Sequence, residues 1–425
     1  MFFRVPAREA RRRARTVLML GAVAAVCALA VAGHSGPGGS TAKLGLTAQD
    51  SVNVGVASTL SGTFASLGVP GLDGIKLAVN QINSKGGLLG AHLNLVKADD
   101  QIDPATGATV TRQLILNDHV KVLFGSVSSA VAEAQEQLAA EYKVPIFFHI
   151  ANDIGLTTTH YTKYAYEISP NTDMEPAAAA LAFARVIGKG HHVRIATITP
   201  NYSFGLDTVK AFLSDLKKDG VSYTVTDQQT PALGASSFTS SISALLSTNP
   251  QYVFSGQYGS DLVTLTKQGI GLGLFKKARV GAMYDYDVLH ALGKQAPAGV
   301  IAWDRAAFWT IHSSAMNAFV AAYKKAYGSY PDEWAINGYD AVQIWAAGVR
   351  KAGSFDPDKL SQALAGATVS TPRGDITIRA CDHQAEVVED TGIVSGKMNA
   401  RYGTALWSQT FTPTVNQIID GCSAH

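Results

Sequence analysis

"LFGSVSSAVAEAQEQL", residues 123–138, begins as an apolar strand and ends as a helix, with Gly125, Ser126, Ser128 and Ser129 at the join. A serine on such a turn has two chemical readings: a nucleophile, or part of a cradle that holds an anion at a helix start without reacting. The hydrolase turn needs Gly-x-Ser-x-Gly. Here Ser126 has Phe124 two residues before it, and Ser128 has Ala130 two residues after it. A histidine base is missing from the pattern as well. His149 lies within an apolar strand, and His191 and His192 sit in a loop before another. No histidine pair has zinc spacing, and neither GxxxxGK[ST] nor GxGxxG occurs. These features disfavour an enzyme and predict no metal and no cofactor. Two readings of Ser128 and Ser129 remain open, an anion cradle and a plain helix cap.

Outward from this turn the chain alternates strand and helix. "VNVGVAST", "AHLNLVKAD", "VKVLFG" and "VPIFFHI" read as strands. Between them, "GLDGIKLAVNQIN" spaces Ile75, Val79 and Ile82 on one helix face. "DPATGATVTRQLIL" opens with Asp103 as N-cap and Pro104 at the first helical position. The pattern restarts after "SPNTDMEP", with strands "RIATITP", "SYTVTDQQT", "QYVFSG" and "ARVGAM" separated by helices. This order predicts an α/β chain with two doubly wound parallel sheets, related in architecture and not in sequence. The long helices "SAMNAFVAAYKKAYG" and "EWAINGYDAVQIWAAGVRKAG", then strands and turns after residue 374, read as chain that returns to complete both units.

Ligands of open parallel sheets bind beyond the carboxyl ends of the strands. Those ends carry Ser128 and Ser129, then Ala151, Asn152 and Asp153, then Tyr202 and Phe204, then Gln257 and Tyr258, and finally Tyr284, Asp285, Tyr286 and Asp287. Donors come first in the chain, aromatics and carboxylates later. The set suits a small molecule with an anionic end, an apolar body and a cationic amine.

The ends of the chain bear on location. "MFFRVPAREARRRAR" followed by "TVLMLGAVAAVCALAVA" reads as a signal peptide, residues 1–32, cut near Ala32–Gly33, with residues 33–50 a flexible leader. An uncleaved membrane anchor is the alternative, and Arg11–Arg13 leave a twin-arginine signal open. Removing six arginines and one glutamate takes 35 basic and 33 acidic residues to 29 and 32, a net charge of −3. Such a chain has no basic stripe and is not expected to bind nucleic acid. Hydrophobic residues make up 47% of the 425, ample for real cores. Cys381 and Cys422 are the cysteines left after cleavage, and in an oxidising compartment they are expected to be bridged.

The phrases "VGVASTLSGTFASLG", "GIKLAVNQINSKGGLLGAHLNLVKADDQIDP", "FGSVSSAVAEA" and "YSFGLD" together resemble the leucine/isoleucine/valine-binding branch of type I periplasmic solute-binding proteins, over about Val52 to Val394. The resemblance implies two lobes joined by three crossovers, near 171–175, 300–305 and 372–377. Lobe 1 would be 51–171 plus 303–374, and lobe 2 would be 172–302 plus 375–425. It implies capture without chemistry, by hinge closure, and delivery to an ABC permease in the membrane by a monomer. Ser129 resembles the serine that holds the ligand carboxylate, beside Ser128. Ile150 resembles a backbone contact, flanked by Ala151. Asn152 stands where the family often has threonine. Phe204, Tyr258 and Trp334 fall on aromatic positions, and Leu67 falls where well-known members have tyrosine. The implied partner of a ligand ammonium lies in "GAMYDYD", residues 281–287, with Met283, Tyr284 and Asp285 all open on alignment and Asp285 the choice on charge. The implied ligand is a neutral branched-chain or aromatic amino acid. An aromatic acid or amide, or a ligand-sensing regulator of the same fold, are the alternatives.

Overall fold

The computed structural model describes residues 50–422. The expected signal peptide and all but one residue of the leader lie outside them. Among the described residues no helix is long and apolar enough to cross a membrane.

The first sheet is formed by β1 (Ser51–Ser58), β2 (His92–Asp99), β3 (Leu123–Gly125), β4 (Ile146–Phe148) and β5 (Ala165–Glu167), all parallel, in the order 2-1-3-4-5. Helices α1 (Ala65–Ser84), α2 (Pro104–Leu116) and α3 (Ser129–Tyr142) connect them. As expected, Asp103 caps α2, accepting from the Thr106 N–H at 2.7 Å. Helix α1 starts six residues earlier than its periodicity suggests and runs through Pro70. Proline in the second turn leaves a single carbonyl unpaired, and the extra turns carry Leu67 inward.

The second half repeats this winding. In order come α4 (Met174–Ile187), β6 (His192–Ile198), α5 (Ser203–Lys218), β7 (Ser222–Gln229), α6 (Thr239–Ser247), β8 (Tyr252–Ser255), α7 (Gly259–Leu272), α8 (Leu274–Lys277), β9 (Arg279–Ala282), α9 (Tyr286–Leu292) and β10 (Ile301–Asp304). Its parallel strands lie in the order 7-6-8-9-10, the same reversal found in the first sheet.

The chain then crosses back. Helices α10 (Ser314–Tyr327), α11 (Glu333–Ala352) and α12 (Pro357–Leu364) precede β11 (Thr368–Thr371), β12 (Gly374–Ile378) and β13 (Ala385–Glu386), a small antiparallel sheet. Helix α11 packs closely on α1. A Cβ on Gly74 would stand 1.9 Å from the Ala335 carbonyl oxygen, so only glycine permits this approach. That contact fixes Trp334 beside Leu67.

From sequence, residues 375–425 belong together in lobe 2; the structure divides them. Ile376, Ile378, Ala385 and Val387 are buried in one cluster with Val54, Phe124 and Trp345 of the first lobe. Strands β14 (Asp390–Asn399) and β15 (Thr404–Phe411) join the second sheet, β14 antiparallel to β10. Residues 388–389 therefore make the third crossing, in place of 372–377. The last helix, α13 (Val415–Ile418), packs on α4, and the tail after it returns once more: Arg379 donates to the Asp420 carbonyl at 2.7 Å, and Cys422 is disulfide-bonded to Cys381. Apolar burial decides these assignments, since each strand pairs where its inward face finds a core.

Candidate functional site

Each parallel set has one point where strand order reverses, between β1 and β3 and between β6 and β8. Crevices open at such points, beyond the carboxyl ends. The two reversals face one another. Between them lies a buried cavity lined on one side by Leu67, Val127, Ser129, Ile150, Asn152 and Trp334, and on the other by Tyr202, Phe204, Tyr258 and Arg305. The lobes are closed on it. The Phe64 and Tyr258 rings are 5.7 Å apart, and apolar side chains of both lobes form one cluster. The cavity measures about 10 Å³, room for one water. A ligand therefore enters when the lobes part. Larger hollows of about 420 and 410 Å³ lie against α4, α5 and the C-terminal turn. No sheet reversal opens onto them, so the smaller, buried cavity is the candidate.

The structure separates the serines. Ser126 donates to Asp100 Oδ2 at 3.0 Å, and Thr59 donates to Asp100 Oδ1 at 2.7 Å, a buried knot that ties the ends of β1, β2 and β3. Ser128 is the N-cap of α3 but makes no side-chain capping bond, and the first turn has no acidic residue. The helix start keeps unpaired N–H groups and its partial positive charge. Ser129, the first residue of that helix, lines the cavity. No base stands ready for it there, since the cavity wall contains no histidine. Burial pushes His149 down to about 4, which keeps its imidazole neutral.

The second lobe presents two more helix starts without a side-chain cap, α7 with Asp261 in its first turn. Tyr202 and Tyr258 are the N-caps of α5 and α7, and neither makes a side-chain capping bond. Their hydroxyls meet at 2.8 Å, so one phenolic proton is left to donate elsewhere. Phe204 packs edge-on against Tyr258, with ring centroids 5.4 Å apart. Trp334 closes the opposite wall, and its indole N–H is buried without a partner.

Arg305, at the end of β10, supplies the cation of the cavity wall. Its Nε and Nη2 donate to Glu175 Oε2 at 2.9 and 2.8 Å, and Nη1 donates to the Ile150 carbonyl at 2.6 Å. The guanidinium also lies 5.2 Å from the Trp334 ring. Asn152 donates to the Pro170 carbonyl at 2.9 Å and to Glu175 Oε2 at 3.4 Å.

Of the nine residues singled out from sequence, Ser129, Ile150, Asn152, Phe204, Tyr258 and Trp334 line the cavity; Ser128, Ala151 and Asp285 do not. Asp285 is fully buried and caps α9, its Oδ1 accepting from the Val288 N–H at 2.7 Å. The carboxyl of Glu333 is buried near it. Burial, and then the charge of Asp287, push Asp285 up to about 7. Arg305 was missed. Its one signal was a charged pair, Asp304-Arg305, closing an apolar strand.

The arrangement defines a class: two doubly wound lobes shut on a cleft rich in hydrogen-bond donors. A sequence profile of the family described as "Periplasmic binding protein" matches residues 51–394, and the chain belongs to that family. It is 26% identical over 431 residues to the Leu/Ile/Val-binding protein homolog 4 of Brucella abortus, spanning 96% of this chain and 98% of that one. It is 25% identical over 329 residues to the leucine-, isoleucine-, valine-, threonine- and alanine-binding protein of Pseudomonas aeruginosa, spanning 77% and 86%. Among solved structures it is similar to the closed leucine-, isoleucine-, valine-, threonine- and alanine-binding protein of Brucella ovis, with a TM-score of 0.76, 25% identity, and 88% and 97% of the chains covered. A solute-binding protein of an ABC transporter from Rhodopseudomonas palustris, in complex with benzoate, shares the fold at a TM-score of 0.75 and 24% identity, covering 85% and 96%.

Proposed function

We propose that this chain is the extracytoplasmic solute-binding component of an ABC importer, closing its lobes on a small molecule that presents a carboxylate on an apolar body. The observation that carries this reading is the uncapped start of α3, opening with Ser129 into a cavity between two sheet reversals. A carboxylate docked there takes the free N–H groups and the serine hydroxyl, and the aromatic wall of the second lobe covers its body. The chemistry is closure alone. The family relation supports a location outside the cytoplasm and delivery to a membrane permease, and the closed lobes support hinge motion as the means of capture.

Thermal denaturation with candidate solutes tests this. A true ligand at 100 times its dissociation constant stabilises the protein by about 2.7 kcal/mol, and the solute is recovered unchanged. Turnover of any solute by purified protein, or stabilisation by cationic solutes only, defeats the reading.

A further inference from the structure

Five donor groups face or adjoin the cavity: the α3 start, the Ser129 hydroxyl, the free proton of the Tyr202–Tyr258 pair and the Trp334 indole, all unclaimed, and the Arg305 guanidinium, already bonded to Glu175 and Ile150; the α5 and α7 starts add to them. Acceptors are another matter. The Ile150 carbonyl accepts from Arg305, and Glu175 Oε2 accepts from both Arg305 and Asn152. Asp285, the carboxylate that an ammonium would need, faces the start of α9 and Glu333, outside the cavity wall.

We infer that Arg305 is a specificity residue that occupies the place of a ligand amine, so that the site takes an organic acid with an apolar or aromatic body and no α-ammonium group. The inference rests on the carboxylate reading above and narrows it. An α-ammonium carries one positive charge and three donors. Here it would lose its water and meet a buried guanidinium, with the Ile150 carbonyl and Glu175 Oε2 already bonded and the unpartnered carboxyls of Glu333 and Glu389 outside the cavity wall. A carboxylate alone meets donors on every side. The apolar body would lie among Leu67, Phe204 and Tyr258. Arg305 holds its position through bonds to both the first lobe, at Ile150, and the start of α4, at Glu175, so its charge cannot swing clear without breaking a buried pair.

The test is calorimetric titration of the full protein with matched pairs that differ only in the amine: 3-phenylpropanoate against phenylalanine, and 4-methylpentanoate against leucine. The acid of at least one pair is expected to bind about tenfold or more tighter than its amino acid, a difference of ~1.4 kcal/mol. An Arg305→Met variant frees Glu175 and the Ile150 carbonyl, so the ratio should move toward the amino acid. Equal or tighter binding of the amino acid by the natural protein overturns the inference while leaving the carboxylate reading intact. So does an unchanged ratio in folded Arg305→Met. Binding of neither member of either pair, with simple benzoate also silent, removes the carboxylate reading and this inference together. The titration of the natural protein decides the matter even where the variant fails to fold.

Discussion

The loops after β3 and after β9 begin alike. Each leaves the carboxyl end of a parallel strand and opens a helix within four residues. After β3, Ser128 takes the N-cap position and leaves the helix uncapped. After β9, Asp285 takes the same position and bonds the Val288 N–H. The first helix start remains available to an outside anion. The second is satisfied from within, and its carboxylate is thereby withdrawn from any ligand. An acidic residue at a strand end is a ligand contact only if the helix beneath it has not already claimed it.

Exchanging the two states gives the largest expected effect. Ser128→Asp should cap α3 as Asp285 caps α9 and set a carboxylate against an incoming anion. Affinity for a bound carboxylate should fall by on the order of 100-fold, ~2.7 kcal/mol, by calorimetry. Retained affinity would show that the helix start does not hold the ligand. Removing a single donor is milder. Ser129→Ala should weaken binding by about 1–2 kcal/mol, the loss of a hydrogen bond to a charged group, with the melting temperature of the ligand-free protein unchanged. Unchanged affinity would place Ser129 outside the site.

The smallest expected change in binding belongs to Asp285→Asn, since asparagine caps as well as aspartate does. Affinity should be unaltered, whereas the pH dependence of stability should flatten. Burial raises Asp285 to about 7 and Asp287 to about 6, and raises Glu333, Asp304, Asp332 and Glu389 well above the usual range. Groups raised on folding contribute their stability fully at pH below their unfolded values, and that contribution is lost as pH rises through the folded values. Melting temperature should therefore fall from pH 5 to pH 8, and less steeply in the variant. A rise over that interval would contradict the assigned burial. A large loss of ligand affinity in the variant would return Asp285 to the site.

The two windings and most of the cleft wall were legible in sequence because strand ends are local features. Val127 and Ser129 follow β3, Ile150 and Asn152 follow β4, and Tyr258 follows β8, each within four residues of the strand's end. The ligand-facing role of Asp285 was not decidable, since it turns on whether α9 starts one residue later. Arg305 depends on long-range geometry: its partners Ile150 and Glu175 lie 155 and 130 residues away. The split of residues 375–422 between lobes likewise follows from which core Ile376, Ile378 and Ile418 enter, a choice that periodicity does not encode.

The tail that follows β15 has a mechanical consequence. Ten residues separate Phe411, in the second sheet, from Cys422, bonded to Cys381 on the first lobe. With α13 packed on α4 and Asp420 and Cys422 held at Arg379 and Cys381, this segment is a tether across the hinge with both ends fixed. Such a tether limits the gape of the jaws and makes their parting a rotation, with the tethered edge as its axis side. Reducing the bridge should let the mouth swing wider, and scattering from the unliganded protein should record a larger radius of gyration.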